Sequence, residues 1–254
     1  KRSIITNNLF GVDIMEEAVE IAKLRLFLAL VSSAHTADDL EPLPNIEFNI
    51  MAGNSLVGLM HVDDAEFEKR HPADFFRKSY RQVLEEKNEL IEVYRRATTY
   101  GHDLQELRDK IQARKQAAVP ALNDILLGEF VHLGIKYEEA TWDDKNNKAG
   151  KPRKRALALD DIAALKPFHW GYEFDQILSK GGFDAIITNP PWDRSVLHPL
   201  ILKLSDIAAT WLLFDADWMH TKQASPFLSR LRKVVSVGRV KWIEGSKMTG
   251  KDNC

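Results

Sequence analysis

The sequence predicts an α/β fold, a doubly wound sheet interrupted by a helical insertion, on three observations. Short apolar runs alternate with helical segments near both ends of the chain. Residues 61–170 carry mostly helical periodicity. An apolar run near residue 185 stops abruptly at two prolines. Alternation of strands with helices is how an open parallel sheet reads in one dimension.

The first part of the core is expected over residues 1–60. Leu9–Ile14 is a short apolar run ending beside an acid, Asp13. A helix follows over Met15–Ser33, with Glu16 and Glu17 in the first turn, where the helix dipole favours anions. Ala18, Ile21, Ala22, Leu24, Leu28 and Val31 recur at helical spacing. Pro42 and Pro44 break the chain, and Asn45–Met51 reads as a strand closed by Gly53-Asn54-Ser55.

Residues 61–170 read as a helical insertion and linker. Phe75, Phe76, Tyr80, Val83, Leu84, Leu90, Ile91 and Tyr94 mark one amphipathic helix, which Gly101-His102 interrupts. Leu104, Leu107, Ile111, Val119, Leu122 and Ile125 mark a second, so a helical hairpin is expected. Asp143–Arg155 is polar and basic and reads as a loop. The α/β pattern returns over 171–254: a helix at Tyr172–Leu178, an end at Gly181-Gly182, a buried strand at Phe183–Thr188, and further strands at Trp211–Phe214 and Val234–Val237.

The totals exclude several classes. With 254 residues and 44% hydrophobic content the chain buries a sizeable core. Its one cysteine, Cys254, permits no internal disulfide or cysteine-rich metal site, which fits a cytoplasmic protein. The longest apolar run, Leu26–Val31, is far below the roughly 18 residues a membrane span needs. His35, His61, His71, His102 and His220 are scattered without metal-ligand spacing, so no metal is expected. The net charge of -2 does not announce a nucleic-acid partner. From His220 onward, however, eight basic residues face two acids. That stretch is a better candidate for phosphate contact than the basic run Lys148–Arg155, which also reads as a solvated loop. The chain starts at Lys1 without Met and stops inside a polar stretch, so both ends read as cut points in a longer protein.

The chemistry concentrates in Asn189-Pro190-Pro191-Trp192, directly after a strand. Two prolines remove two backbone donors, end the sheet and restrict Asn189 to an extended conformation. The result is a rigid carboxamide and a rigid carbonyl at the carboxyl end of a strand, where open α/β sheets bind ligands. An exocyclic amino group on a base is a poor nucleophile because its lone pair is delocalised. Two acceptors gripping its N–H groups, the Asn189 oxygen and the Pro190 carbonyl, draw that nitrogen toward a tetrahedral shape. Trp192 offers a stacking face for a base turned out of a duplex. The plain alternative is a turn in which Pro-Pro merely ends a strand.

This tetrapeptide, with Phe183-Asp184 before it, resembles the catalytic motif of S-adenosylmethionine-dependent DNA adenine-N6 methyltransferases. Leu9–Ile14 with Glu16–Leu26 resembles the second cofactor motif of the large fused enzymes in type IIG restriction-modification and phage-exclusion systems. Gly53–Gly58 resembles their third motif, and Phe168-His169-Trp170 with Glu173-Phe174 the stretch preceding the catalytic strand. Gly238–Ser246 looks like the segment beyond the catalytic motif in some phage-type adenine methyltransferases.

The resemblance implies a Rossmann-like methyltransferase sheet, S-adenosylmethionine as cofactor, and double-stranded DNA as partner, alongside other regions or subunits of a restriction-modification system. It implies that Asn189, Pro190, Pro191 and Trp192 carry catalysis. Asp13 would accept from the cofactor's ribose hydroxyls, although an N-cap would look the same. Ile14 would lie on the adenine ring, although a core isoleucine would look the same. Asn54, with Ser55, would hold the adenine edge. The glycine-rich first motif should precede Leu9, and Lys1–Asn8 contains no glycine. Residues 1–254 alone are therefore expected to bind the cofactor weakly and to methylate DNA undetectably. Two rivals stay open: a methyltransferase for another planar nitrogen (an RNA base or a protein glutamine), whose motifs favour Tyr where Trp192 stands, and a non-catalytic DNA-binding or assembly fragment.

Overall fold

A computed structural model describes residues 1–34, 36, 44–70, 78–97, 102–143, 147–191, 193–213, 216–236, 238–239 and 252–253. The chain divides into two compact units, Lys1–Gln176 and Ile177–Cys254.

In the first unit, helix α1 (Arg2–Asn7) leads into strand β1 (Gly11–Asp13), helix α2 (Glu16–Val31) and strand β2 (Ile50–Ala52). β1 and β2 pair in parallel, Gly11 opposite Ile50 and Asp13 opposite Ala52. A parallel pair joined through a helix is the βαβ unit of α/β folds. β2 starts later than the expected Asn45–Met51, because residues 47–49 form a turn. Asn49 explains the turn. Its buried amide donates to the Thr6 carbonyl at 2.8 Å and the Leu9 carbonyl at 3.3 Å, while its oxygen accepts from Arg95 at 2.9 Å.

Helix α2 forms where its periodicity places it, but the buried face differs. Val19 and Lys23 are buried, whereas Ile21, Leu24, Leu28 and Val31 are exposed. The helix is apolar on two sides, so spacing alone does not choose the packed one. Lys23 is held by Glu20 at 2.8 Å and by Glu47.

Helices α3 (Asp64–Arg70), α4 (Tyr80–Arg96) and α5 (His102–His132) follow. A capping box of Ser79 and Gln82 opens α4; Phe75, Phe76 and Gly101 lie outside the described residues. α5 runs through Pro120 and ends in a Schellman turn: the Gly134 amide donates to Val131 and the Ile135 amide to Phe130, with Gly134 at φ +72°. α4 and α5 pack together, and Leu59, Phe67, Tyr80, Leu122, Leu126, Ile162 and Tyr172 belong to one buried apolar cluster.

The polar segment at 143–155 is not simply a loop. Strand β3 (Tyr137–Glu139) pairs antiparallel with β6 (Arg153–Arg155), and β4 (Trp142–Asp143) with β5 (Lys148–Ala149). Cross-strand partners supply what apolar alternation does not. Glu138 pairs with Lys154 at 2.9 Å, and the Arg155 guanidinium sits 4.2 Å from the Tyr137 ring centre while reaching Asp161 of helix α6 (Leu159–Ala164) at 2.6 Å. The helix expected at Tyr172–Leu178 is two short ones, α7 (Trp170–Glu173) and α8 (Asp175–Leu178). Between them the Phe174 ring packs on Phe10, Phe168 and Trp170.

In the second unit, strand β7 (Ala185–Thr188), helix α9 (Arg194–Ile207) and strand β8 (Ala209–Leu212) form another βαβ unit. Its strands are parallel, with Ile187 opposite Trp211. α9 lacks a clean sequence signature because Pro199 stands inside it. The strand expected to be buried keeps one face open within its unit: Ile187 is 82% and Trp211 47% exposed. Leu197 and Ile201 of α9 pack with Leu212, Trp218 and Phe227. Two 3-10 turns, Ala216–His220 and Ser225–Arg230, follow. Residues 234–236 join no ladder, so that expected strand does not form there, and residues 214 and 237 lie outside the described residues. Among the described residues no helix is long and apolar enough to cross a membrane.

Candidate active site

The residues singled out in the first unit converge on the carboxyl ends of β1 and β2. Asp13 is the last residue of β1, and the Gly53 amide donates to its carbonyl at 2.8 Å, carrying the ladder one step past β2. The Asp13 carboxylate accepts from the Met15 amide at 2.8 Å, two residues on, and α2 has no side-chain cap. This is an Asx turn that presents the carboxylate at the strand end, not an N-cap on the helix. Ile14 is 51% exposed, which removes the reading of it as a core isoleucine.

At Gly53 the chain leaves β1 and takes a new neighbour. The Asn54 amide donates to the Lys166 carbonyl at 2.7 Å, the Phe168 amide to the Val57 carbonyl at 2.7 Å, and the Gly171 amide to the Leu59 carbonyl at 3.0 Å. Residues 166–171 thus run along the 54–59 loop as a strap. The approach leaves no room for side chains: a Cβ at Gly53 would meet the Phe168 ring at 2.9 Å, and one at Gly58 the Phe168 carbonyl oxygen at 2.0 Å. Within the loop the Asn54 side-chain oxygen accepts from the Leu56 amide at 3.1 Å. The Ser55 carbonyl accepts from the Trp170 indole N–H at 3.1 Å.

His169 fastens the strap to the helices. Its Nδ1 accepts from the Leu59 amide at 3.4 Å, which leaves the proton on Nε2, 3.0 Å from the Asn123 side-chain oxygen on α5. Burial pushes this imidazole down to about 4 against the pull of Glu173. The helical hairpin also ties into this region by charge. Lys115 of α5 reaches Glu173 at 2.9 Å. Lys87 of α4, fully buried, donates to the Tyr172 carbonyl and to Asp175 at 2.7 Å, and lies 4.5 Å from the Tyr172 ring centre. Burial lowers the Lys87 pKa, with Asp175 opposing. Sequence periodicity gives no sign of the strap, of His169 or of Lys87, since each depends on partners far away in the chain.

Asn189, Pro190 and Pro191 belong to the second unit. The Leu213 amide donates to the Thr188 carbonyl at 3.0 Å, so pairing continues to the last residue of β7 and Asn189 is the first residue beyond it. Asn189 and Pro191 are exposed and Pro190 is buried. On the far side Asp193 caps α9, its carboxylate accepting from the Ser195 amide at 2.8 Å and the Ser195 hydroxyl at 2.5 Å. Those bonds hold the Asp193 carboxyl below its usual range. The loop is therefore fixed at both ends, by a ladder before it and a cap after it. The Asp193 cap is legible in Asp-Arg-Ser before an apolar run, a pattern separate from the Asn-Pro-Pro-Trp motif. Trp192 and residues 240–246 lie outside the described residues.

A family model described as the Eco57I restriction-modification methylase matches residues 7–203, more than three quarters of the chain. A putative type II restriction enzyme and methyltransferase of Methanocaldococcus jannaschii is 31% identical over 232 residues, covering 76% of this chain and 18% of that relative. The chain thus spans less than a fifth of the curated relative it matches. No solved structure matches.

Proposed function

Since the chain belongs to the Eco57I restriction-modification methylase family, we propose that it is the catalytic part of a DNA methyltransferase that moves the methyl group of S-adenosylmethionine to adenine N6. The observation that carries the reading is Asn189-Pro190-Pro191, held between the end of a parallel strand and the capped start of its crossover helix. Such a strand end is where α/β folds place ligand-binding groups. We place the fold in the Rossmann-like class, because both parallel pairs carry a crossover helix and that unit builds it.

The residues of the first unit fit an adenosine. The Asp13 carboxylate suits two ribose hydroxyls, exposed Ile14 offers an apolar face, and Asn54 keeps its amide hydrogens for a ring acceptor because its oxygen is engaged by Leu56. S-adenosylmethionine, when bound, supplies an electrophilic methyl. The chain's task is then to hold the attacking nitrogen. The Asn189 oxygen and the Pro190 carbonyl accept its two N–H bonds, which concentrates the lone pair opposite them. Trp192 stacks on the extruded base. Lys222, Arg232 and Lys233, all exposed after β8, suit DNA phosphates.

The test is Asn189→Ala in the intact protein, with methyl transfer followed in parallel on DNA, RNA and protein using tritiated cofactor. Transfer to DNA is expected to fall about 100- to 1000-fold while cofactor affinity holds. Near-normal turnover would refute the role of Asn189, and transfer to RNA or protein instead of DNA would refute the substrate.

A further inference from the structure

The Gly53–Leu59 loop carries Asn54, but the groups that set its shape lie more than a hundred residues later. Among them Trp170 has a special position. Its indole N–H donates to the Ser55 carbonyl at 3.1 Å, and the Leu56 amide donates to the Asn54 side-chain oxygen at 3.1 Å. The Ser55 carbonyl and the Leu56 N–H are two ends of one peptide unit. A peptide is planar and rotates as a body, so fixing its carbonyl fixes the direction of its N–H. Trp170 therefore grips one side of a rigid plate, and the Asn54 carboxamide hangs from the other.

The indole is itself held. It meets Phe168 edge-on at 5.0 Å and Phe174 at 5.7 Å between ring centres. The preceding residue, His169, is bonded to Leu59 and Asn123. Backbone bonds at Asn54, Val57 and Leu59 align the strap with the loop.

We propose that Trp170 is a positioning residue for the cofactor site: through the Ser55–Leu56 peptide it fixes the Asn54 carboxamide in the orientation that receives the adenine edge. This rests on the assignment of Asn54 to the cofactor's adenine made above. On this proposal the effect of Trp170 on the cofactor passes through Asn54. That sets it apart from a residue that only packs, whose loss would be felt whatever side chain stands at 54.

The experiment is a double-mutant cycle on the intact protein, read as the dissociation constant of S-adenosylhomocysteine by titration calorimetry, with thermal melting of the free protein alongside. Trp170→Phe keeps one aromatic ring near Phe168 and Phe174 while removing the donor together with part of the indole, and the comparison with and without Asn54 separates the two losses. It is expected to weaken binding about fivefold, the usual effect of losing one hydrogen bond, with the melting temperature nearly unchanged. Asn54→Ala is expected to weaken binding at least as much, and adding Trp170→Phe to it should do nothing more. If Trp170→Phe weakens binding equally with and without Asn54, the indole acts by packing or by direct contact and the proposal falls. If Asn54→Ala weakens binding and Trp170→Phe alone does not, the proposal falls while the assignment of Asn54 stands. If Asn54→Ala leaves binding unchanged, the assignment itself is wrong and the proposal goes with it.

Discussion

Replacing Gly58 by alanine tests whether the strap holds the loop. Gly58 has φ +150°, a backbone conformation in which a side chain is strained, and a Cβ there would sit 2.0 Å from the Phe168 oxygen and 2.5 Å from its carbonyl carbon. Ordinary contact begins near 3.4 Å, so the strap must retreat by more than 1 Å. The obstacle is backbone, which cannot swing aside as a side chain would. Retreat on that scale breaks the 2.7 Å bond from Phe168 to Val57 and weakens the 3.0 Å bond from Gly171 to Leu59 and the 3.4 Å bond from Leu59 to His169. Two or three lost hydrogen bonds at about 1 kcal/mol each, with about 1–3 kcal/mol of backbone strain, give a destabilisation of about 3–6 kcal/mol. Gly134→Ala is the control: its φ is also positive, at +72°, but nothing lies within 4 Å, so only strain of about 1 kcal/mol applies. Urea unfolding followed by circular dichroism measures both, and S-adenosylhomocysteine titration is expected to show lost affinity for Gly58→Ala alone. If the two variants fall within about 1 kcal/mol of each other, the strap does not hold the loop.

Three further outcomes are expected. His169 is ordinarily near 6.5 and sits at about 4 when folded. The unfolded chain thus takes up a proton first as pH falls, and the stability from the neutral, doubly bonded ring is complete above pH 6.5 and lost progressively down to about 4. Between pH 7 and 5 the loss is about 2 kcal/mol, and His169→Gln, which accepts and donates without titrating, should remove that part of the urea-measured pH profile; an unchanged profile would assign it to other groups. Lys87→Met should cost about 3 kcal/mol in the same assay, because the mostly buried Asp175 then loses its cation and, among the described residues, keeps Asn88; a neutral result would mean water replaces the ammonium. Trp192→Ala should lower turnover and extrusion of a fluorescent adenine analogue at the target position, while Trp192→Phe retains much of both; equal behaviour of the two variants would make Trp192 a packing residue.

The sequence by itself determined the local and directional features. Helical spacing placed α2 to within two residues at each end, and the run before Pro190-Pro191 located β7 because prolines end a ladder whatever surrounds them. It also singled out Asp13 and Asn54, which the fold brings to adjacent strand ends. Periodicity could not say which side of α2 is buried, since both sides are apolar, and the outcome turned on Lys23 finding Glu47. It could not see β3 and β6, whose pairing rests on Glu138 with Lys154 and Tyr137 with Arg155 rather than on apolar alternation. Nor could it see why Phe168-His169-Trp170 stands where it does. That segment lies more than a hundred residues from the loop it shapes, and hydrogen bonds across such a separation leave no periodic trace. Only the tertiary structure decided that the helical hairpin, through Asn123 and His169, and the aromatic strap, through Trp170 and Ser55, meet the same loop, at Leu59 and at Ser55. Local propensity acts over a turn or a strand, whereas a buried polar group takes its partner wherever folding delivers one.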